Sequence, residues 1–334
     1  MRYLLSIIVA LLTSLLAAGI FIPLVKKKDV RQTVLSYVEE HKSKNGTPTM
    51  GGIIFIVGTT LTFSALWQGE RLPLFILVIA LSGGFIGFLD DVIKVKFKRN
   101  LGLKAYQKII FQLAVAAVLS YFAYEKFGGA MFVPFLNRYE NFGYFSVAIN
   151  FIAYLALINT VNLTDGLDGL CVSVSGLNVF FFALVAAILY EYFGLRLSFD
   201  ELSGTVVLSL AAVGGMLGYF IVNCFPAYVF MGDVGSMFLG SLLAGLAVMT
   251  STTLFVPIIG IVYVITGLSD IIQVTYFKLT KGKRVFLMAP LHHHLQQKGL
   301  HENRIVAIYS LCTMLFVSII LFSLFGGNNG IFGL

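Results

Sequence analysis

Apolar runs about as long as a lipid bilayer is thick recur along this chain and limit its fold more than any other feature. A hydrocarbon core of about 30 Å is crossed by roughly 20 helical residues at about 1.5 Å each. About ten candidate spans have this character: 3–25, 51–68, 73–89, 105–124, 145–162, 170–192, 204–222, 236–251, 253–277 and 305–325. Because a span must satisfy its own backbone polar groups in lipid, such runs are predicted to be helices. The sequence therefore predicts an all-α polytopic membrane protein, with residues 1–334 forming a single integral membrane domain.

Composition supports this class and excludes a soluble globule. Hydrophobic residues make up 58% of the chain and charged residues 12%, against about 25% charged in typical soluble domains. The three cysteines, Cys171, Cys224 and Cys312, lie in or beside apolar runs and show no C-x-x-C spacing. We therefore expect neither structural disulfides nor a zinc site.

Basic residues collect in alternate loops, which predicts the orientation of the spans. Three loops, within 26–44, 94–108 and 278–304, hold six Lys or Arg residues each, of 23 in the chain. The positive-inside rule places these loops on the cytoplasmic side and both termini outside. The segment from Glu125 to Tyr144 is then external, and its glycines, proline and aromatic residues predict an irregular or hairpin cap.

Five carboxylates come from three different loops that this topology brings to the cytoplasmic face. They are Asp90, Asp91, Asp165, Asp168 and Asp233. Each alone is compatible with a helix cap or a turn. Like charges gathered at a low-dielectric boundary repel unless a cation or a proton compensates them. A bound divalent metal is the simplest compensation.

The type of ligand indicates which metal and which reaction to expect. Carboxylate oxygens with no adjoining His or Cys cluster favour magnesium or manganese over zinc. Mg²⁺ commonly takes one or two carboxylates together with substrate phosphates, so the pattern favours phosphoryl transfer from a diphosphate. Lys44, Lys94 and Lys104 are the basic residues nearest these motifs. For any one of them, the positive-inside rule is a sufficient alternative explanation.

Three other polar segments are candidates for binding. In PLHHH, residues 290–294, at most two of the adjacent histidines can reach one site from a helix. GTPTMGG, residues 46–52, lacks the P-loop spacing, but its amides and hydroxyls could hold an anion near a helix start. Asp270 lies inside a span, where a carboxylate indicates function or, beside Gly267, a broken helix. We leave Asp270 out of the predicted catalytic set.

Five segments together resemble one bacterial enzyme family. They are GTPTMGG at 46–52, GFLDDVIKV at 87–95, NTVNLTDGLDGL at 159–170, FMGDVGS at 230–236 and APLHHH at 289–294. In their order, and in the side of the membrane on which their loops are predicted to lie, they resemble the phospho-N-acetylmuramoyl-pentapeptide transferase (translocase) family. The resemblance covers nearly the whole chain. The wider superfamily of polyprenyl-phosphate N-acetylhexosamine-1-phosphate transferases shares the Asp pair and the DGxDG loop. The histidine run and GTPTMGG point to the muramoyl-pentapeptide branch.

The resemblance implies a reaction, a cofactor and a location. The expected reaction moves phospho-N-acetylmuramoyl-pentapeptide from UDP-MurNAc-pentapeptide to undecaprenyl phosphate. Lipid I and UMP are formed, in the first membrane step of peptidoglycan synthesis. Mg²⁺ is the expected cofactor. The protein is expected to be a multi-pass protein of the bacterial plasma membrane, with its active site facing the cytoplasm. The implied partners are the two substrates and membrane lipid, without nucleic acid, and a homodimer remains an open alternative.

The resemblance also assigns roles to individual residues. Asp233 resembles the principal Mg²⁺ ligand, Asp90 the group that deprotonates or positions the lipid phosphate, and Asp91 and Asp165 further contributors to the metal and phosphate site. The implied uracil pocket comprises Gly166, Leu167, Asp168, Asn223 and Phe230. Positions near the nucleotide-sugar are Lys44, Thr49, Asn162, Gln273, His292 and His293, with Lys94 and Lys104 as further substrate-binding lysines.

Alternatives remain at this stage. Direct attack of the lipid phosphate on the sugar-linked phosphate and a two-step route through an aspartyl phosphate are both chemically possible. A sister transferase using UDP-N-acetylglucosamine would need the same acidic motifs. A secondary transporter would also have many spans and an intramembrane acid such as Asp270. However, transporters place polar residues near the midplane, whereas here the acids lie at the ends of spans.

Overall fold

The computed structural model describes residues 1–27, 46–97, 102–193 and 197–326. The part of the chain described is a bundle of helices with one small hairpin. The elements in order are α1 Arg2–Lys27, α2 Gly52–Leu66, α3 Arg71–Phe97, α4 Ala105–Phe127, β1 Ala130–Val133, β2 Arg138–Asn141, α5 Phe145–Thr164, α6 Leu170–Phe193, α7 Phe199–Asn223, α8 Gly232–Met249, a 3₁₀ turn Thr253–Phe255, α9 Val256–Ile259, α10 Ile261–Leu279, α11 Leu291–Gln297 and α12 Glu302–Gly326. The predicted all-α polytopic class is confirmed.

The number of spans agrees closely with the predicted pattern. Among the described residues, eight helices are long and apolar enough to cross a bilayer, and the bent pair formed by Thr253–Ile259 and Ile261–Leu279 gives a ninth. The remaining predicted span corresponds to α2, an apolar helix of 15 residues. At about 1.5 Å per residue, α2 is shorter than a typical bilayer core.

Helix α1 packs through a stripe of small side chains. Its buried residues recur every four positions at Ser6, Ala10, Ser14 and Ala18. On the facing α7, a Cβ at Gly214 would overlap the main chain of Ile7. In lipid, where apolar burial gives little driving force between helices, small residues permit the close backbone approach that holds helices together.

Helices α3 and α8 approach each other through glycines. A Cβ at Gly87 would overlap the main-chain carbonyl of Asp233, and a Cβ at Gly83 would lie 2.7 Å from the carbonyl oxygen of Met237. Since Asp90 and Asp91 follow Gly87 within one turn, this contact brings the end of α3 beside the first turn of α8. The glycine spacing thus positions acids that are far apart in sequence.

The last long span before the histidine run is broken, but at a different residue from the one predicted. The helix axes turn by 74° between Thr253–Ile259 and Ile261–Leu279, at Gly260. The prediction of a break near Gly267 is wrong, because Gly267 lies inside α10. A Cβ at Gly267 would lie 2.7 Å from Cγ2 of Thr160, so this glycine serves close packing against α5.

The predicted external cap is a two-stranded antiparallel hairpin. Ala130 pairs with Asn141, and Val133 with Arg138. The amide of Phe132 donates to the carbonyl of Ser251 (2.8 Å), which fastens the hairpin to the end of α8. The hairpin therefore lies at the opposite end of α8 from Asp233.

Candidate active site

Three of the predicted acids meet where α3 ends and α8 begins. One oxygen from each of Asp90, Asp91 and Asp233 lies within 4.8 Å of the others. Asp90 and Asp91 are 0% and 3% exposed, so these carboxylates are shielded from bulk water. Like charges this close and this buried need cationic compensation.

Two lysines supply part of that compensation. Lys94 Nζ lies 2.7 Å from Asp90 Oδ2 and 3.2 Å from Asp233 Oδ1. Lys108 Nζ lies 3.0 Å from Asp90 Oδ1 and 2.7 Å from Asp233 Oδ2. Two ammonium groups facing three carboxylates still leave an excess of negative charge. The oxygen-only donor set and this residual charge fit a hard divalent cation.

Lys108 is the site residue that sequence reasoning missed. The sequence indicates it only as one of the basic residues of its loop. The signal that could have found it is helical spacing: Lys104 and Lys108 are four residues apart, at the start of α4. The side chain of Lys104 instead lies over the ring of Tyr106, with Nζ 5.9 Å from the centroid.

Backbone amides hold two of the acids in place. The amide of Leu103 donates to Asp90 Oδ1 (2.7 Å), and that of Val234 donates to Asp91 Oδ2 (3.0 Å). Val234 lies in the first turn of α8, so Asp91 satisfies one of the amides that a helix leaves open at its start. Asp91 therefore links α3 to α8 in addition to any role toward a metal.

Asp165 follows the last residue of α5 and joins the same electrostatic centre. Burial raises the pKa of its carboxyl well above the ordinary value, and the neighbouring charges of Asp233 and Asp91 raise this pKa further. In the protein without a metal, the protonated form of this carboxyl is therefore favoured. A cation placed among these acids would favour its ionised form instead.

The rest of the DGLDG loop, residues 165–169, is tied to the connection between α7 and α8. Asp168 Oδ2 accepts from the amide of Ala227 (3.0 Å), and Asn223 Oδ1 accepts from the amide of Gly169 (3.2 Å). Asn223 Nδ2 also donates to the carbonyl of Val229 (3.1 Å). Asp168 and Asn223 thus lie in one network, as expected if both line one pocket.

GTPTMGG pairs with the segment that leads into α8. The amide of Phe230 donates to the carbonyl of Pro48, and the amide of Gly51 donates to the carbonyl of Phe230, each at 2.8 Å. Gly232 has a positive φ of +74°, and a Cβ there would lie 3.1 Å from Thr49 Oγ1 and 2.5 Å from Asp91 Oδ2. The buried Thr49 hydroxyl, which has no hydrogen-bond partner among the described residues, therefore lies beside the acidic centre.

Two of the three adjacent histidines face the DGLDG loop, within the predicted limit. A Cβ at Gly166 would lie 2.9 Å from Nε2 of His293 and would overlap Nε2 of His292. His294 points elsewhere, because its Nδ1 accepts from the amide of Leu287 (3.1 Å). Burial, and then His293, lowers the pKa of His292 well below its ordinary value. His292 is therefore neutral at physiological pH.

Other predicted positions have partners of their own. Asn162 Nδ2 donates to Ser236 Oγ (2.8 Å), and Leu167 is buried in the apolar core. Gln273 donates to the carbonyl of Phe286 (3.1 Å) and accepts from the amides of Val285 and Phe286, so it fastens the following loop to α10. Lys44 lies outside the described residues. Substrate contacts by these residues, by Lys104 and by all the other predicted binding residues stay predictions.

The helical bundle and the acid and lysine centre at one end of it define a multi-pass membrane protein with an acidic cluster that could hold a metal ion. Comparison with known proteins narrows this class. Residues 72–251 match the family model described as glycosyl transferase family 4. Residues 44–56 match signature 1 of phospho-N-acetylmuramoyl-pentapeptide-transferase.

Curated relatives have that second name, and this chain matches them over nearly their full length. One from Clostridium botulinum (strain Alaska E43) is 40% identical over 304 residues, covering 90% of each chain. One from Clostridioides difficile (strain 630) is 41% identical over 322 residues, covering 95% of this chain and 96% of the relative. One from Thermoanaerobacter sp. (strain X514) is 39% identical over 325 residues, covering 97% and 99%. This chain belongs to the phospho-N-acetylmuramoyl-pentapeptide-transferase family, and it is a membrane transferase.

Proposed function

We propose that this protein transfers phospho-N-acetylmuramoyl-pentapeptide from UDP-MurNAc-pentapeptide to undecaprenyl phosphate, releasing UMP and forming lipid I at the cytoplasmic face of the bacterial plasma membrane. The observation that carries the proposal is the meeting of Asp90, Asp91 and Asp233 with Lys94 and Lys108 at one end of the bundle. Phosphoryl transfer between two phosphorylated substrates needs such a centre, where positive charge neutralises phosphate oxygens.

Mg²⁺ is the proposed cofactor, with Asp233 as its principal ligand and Asp91 and Asp165 as further contributors. When bound, the ion neutralises charge on the diphosphate and on the leaving UMP. Asp233 suits this role because it lies in the first turn of α8 and is the least buried of the three clustered acids. Asp90 is held by Lys94, Lys108 and the amide of Leu103, so its carboxylate is fixed in orientation.

The chain's own residues then align the substrates. Asp90 positions the lipid phosphate, or takes its proton, while Lys94 and Lys108 hold negative charge on the phosphates. Direct attack of a lipid phosphate oxygen on the sugar-linked phosphate displaces UMP, and no residue of the chain has to form a covalent intermediate. A single inversion at a chirally labelled phosphorus would support this route, and retention would indicate an aspartyl phosphate.

The nucleotide-sugar is proposed to lie between the DGLDG loop and the histidine helix, α11. Gly166, Leu167, Asp168, Asn223 and Phe230 are the proposed uracil pocket. This assignment is supported by the hydrogen-bond network that joins Asp168, Asn223 and the segment before α8. Lys44, Thr49, Asn162, Gln273, His292 and His293 are proposed to approach the rest of the donor, together with Lys94 and Lys104. Homodimerisation is kept as an open part of the proposal.

UMP release from the purified protein in detergent tests this function. With UDP-MurNAc-pentapeptide and undecaprenyl phosphate, we expect UMP release that requires Mg²⁺ and both substrates. Turnover with UDP-N-acetylglucosamine in place of the muramoyl donor would instead identify the sister reaction. Because detergent leaves no closed compartment, catalysis in this assay also separates the protein from a transporter.

A further inference from the structure

Glu302, the first residue of α12, is a buried acid that the mechanism above does not use. It is 7% exposed, and its two carboxylate oxygens face two buried donors. Oε2 accepts from the amide of Asp168 (3.4 Å), and Oε1 accepts from Nε2 of Gln296 (3.2 Å). Glu302 therefore joins the DGLDG loop to the histidine helix α11.

The direction of the hydrogen bonds from Glu302 through Gln296 to His293 follows from the chemistry of the groups. A carboxylate only accepts, so Gln296 must turn its NH₂ group toward Glu302. The amide oxygen Oε1 of Gln296 then faces Nδ1 of His293, at 3.3 Å. Because an amide oxygen also only accepts, Nδ1 of His293 must carry a hydrogen. In a neutral imidazole the other nitrogen, Nε2, then has the lone pair.

Nε2 of His293 is the atom that faces the DGLDG loop, 2.9 Å from where a Cβ on Gly166 would lie. We infer that Glu302 is a positioning residue which, through Gln296, holds His293 as its Nδ1–H tautomer, so that Nε2 offers an acceptor to a hydroxyl or N–H group of the nucleotide-sugar. This inference rests on the proposed function, since it assigns the substrate group that this part of the site recognises. The ligand group is a neutral donor, such as a ribose or sugar hydroxyl or an amide N–H, and not a phosphate oxygen.

Replacing Glu302 by Gln reverses the chain of hydrogen bonds without removing any side-chain bulk. In the most favourable arrangement, the amide oxygen of the new side chain accepts from the amide of Asp168, and its NH₂ group turns toward Gln296. Gln296 then flips and donates to Nδ1 of His293, which moves the ring hydrogen to Nε2. A donor now faces the substrate's donor. We expect Glu302→Gln to raise the KM for the nucleotide-sugar by about tenfold, with kcat changed by less than about twofold.

A swap of the two side chains should repair the defect. In Glu302→Gln/Gln296→Glu, the new carboxylate at 296 accepts from Nδ1–H of His293 and from the amide NH₂ at 302. The amide oxygen at 302 still accepts from the amide of Asp168. We expect a KM within about twofold of the unaltered protein, because every donor again meets an acceptor. Glu302→Gln/Gln297→Glu is the matched control, because position 297 is exposed and a glutamate there restores only the charge. It should stay as impaired as Glu302→Gln.

Nitrogen NMR of the ¹⁵N-histidine-labelled protein gives a readout that does not depend on activity. His293 resonances are assigned by their loss in His293→Gln. We expect protonated Nδ1 and unprotonated Nε2 in the unaltered protein and in the swap variant, and the reverse in Glu302→Gln. An Nε2–H tautomer of His293 in the unaltered protein would overturn the inference even if none of the Glu302 variants folded.

The kinetic outcomes separate this inference from the proposed function. If the unaltered protein releases no UMP from UDP-MurNAc-pentapeptide, the proposed function fails, and the NMR result still decides the tautomer. If the unaltered protein turns over and Glu302→Gln has the same KM, or the swap does not recover it, the positioning role is wrong. Recovery of the KM in Glu302→Gln/Gln297→Glu would show that Glu302 acts by charge alone, which also contradicts positioning of His293 through Gln296.

Discussion

Lys108 Nζ lies 2.7 Å from Oδ2 of Asp233, a residue 125 positions later in the chain. The same ammonium lies 3.0 Å from Asp90, so one side chain at the start of α4 joins the end of α3 to the start of α8. We expect Lys108→Met to reduce UMP release by at least about 100-fold, because it removes a fixed positive charge from a buried phosphate-handling centre.

A matched lysine on the same face controls for general loss of charge. Lys96 is exposed and lies 5.9 Å from the ring of Phe97, so Lys96→Met should keep nearly full activity. Lys104→Met tests the lysine that the family resemblance implies, and its effect should be smaller than that of Lys108→Met. Equal losses in all three variants would contradict a specific role for Lys108.

Turnover should fall far more when an acid of the centre is replaced than when the acid inside α10 is replaced. We expect Asp233→Asn and Asp90→Asn each to lower turnover by about 1,000-fold or more, because each removes a charge that the reaction requires. Asp270→Asn should retain substantial activity, since Asp270 is not among the clustered acids Asp90, Asp91 and Asp233. UMP release, with size-exclusion elution to confirm folding, measures all three. Near-normal turnover by Asp233→Asn or Asp90→Asn would refute its assigned role.

The packing of α3 on α8 should depend on the absence of a side chain at Gly87. Because a Cβ there would overlap the carbonyl of Asp233, we expect Gly87→Ala to destabilise the protein by about 1–3 kcal/mol and to displace the acids. Gly176→Ala is the control, because nothing lies within 4 Å of its Cβ, and a helical alanine should be neutral or slightly stabilising. Thermal unfolding in detergent, together with UMP release, compares the two. Equal melting temperatures would show that α3 and α8 can move apart without loss.

Asp165 should make the metal-free protein less stable as the pH rises. Its pKa is raised in the folded protein, so between the ordinary value of 3.8 and the folded value the folded state binds more protons than the unfolded chain. Stability is therefore greatest below that window and falls as the pH rises through it. Asp165→Asn removes this dependence, so its melting temperature should rise relative to that of the unaltered protein as the pH increases above 3.8. Asp200→Asn, at an exposed position, should show no such relative gain.

The pattern of apolar runs was enough to predict the helical class and the approximate limits of most spans, because lipid requires each span to satisfy its own backbone. The sequence near Asp270 misplaced the break in the span before the histidine run. A glycine in a helix can mark a break or a close contact, and Gly260 and Gly267 have opposite roles here. Only the partner helix distinguishes them.

The sequence by itself determined the chemistry of the site: acids in separate loops on one side of the bundle, basic residues among them, and a histidine helix that follows on the same side. Tertiary structure decided which of these groups meet. Lys108 and not Lys104 bonds the acids, Asp91 caps α8 from another helix, and Glu302 reaches both the DGLDG loop and α11. The physical reason is that residue type and spacing fix what a group can do and which end of a helix it occupies. Side-chain contacts depend on how closely helices approach, and that distance is set by small residues on pairs of helices far apart in the chain.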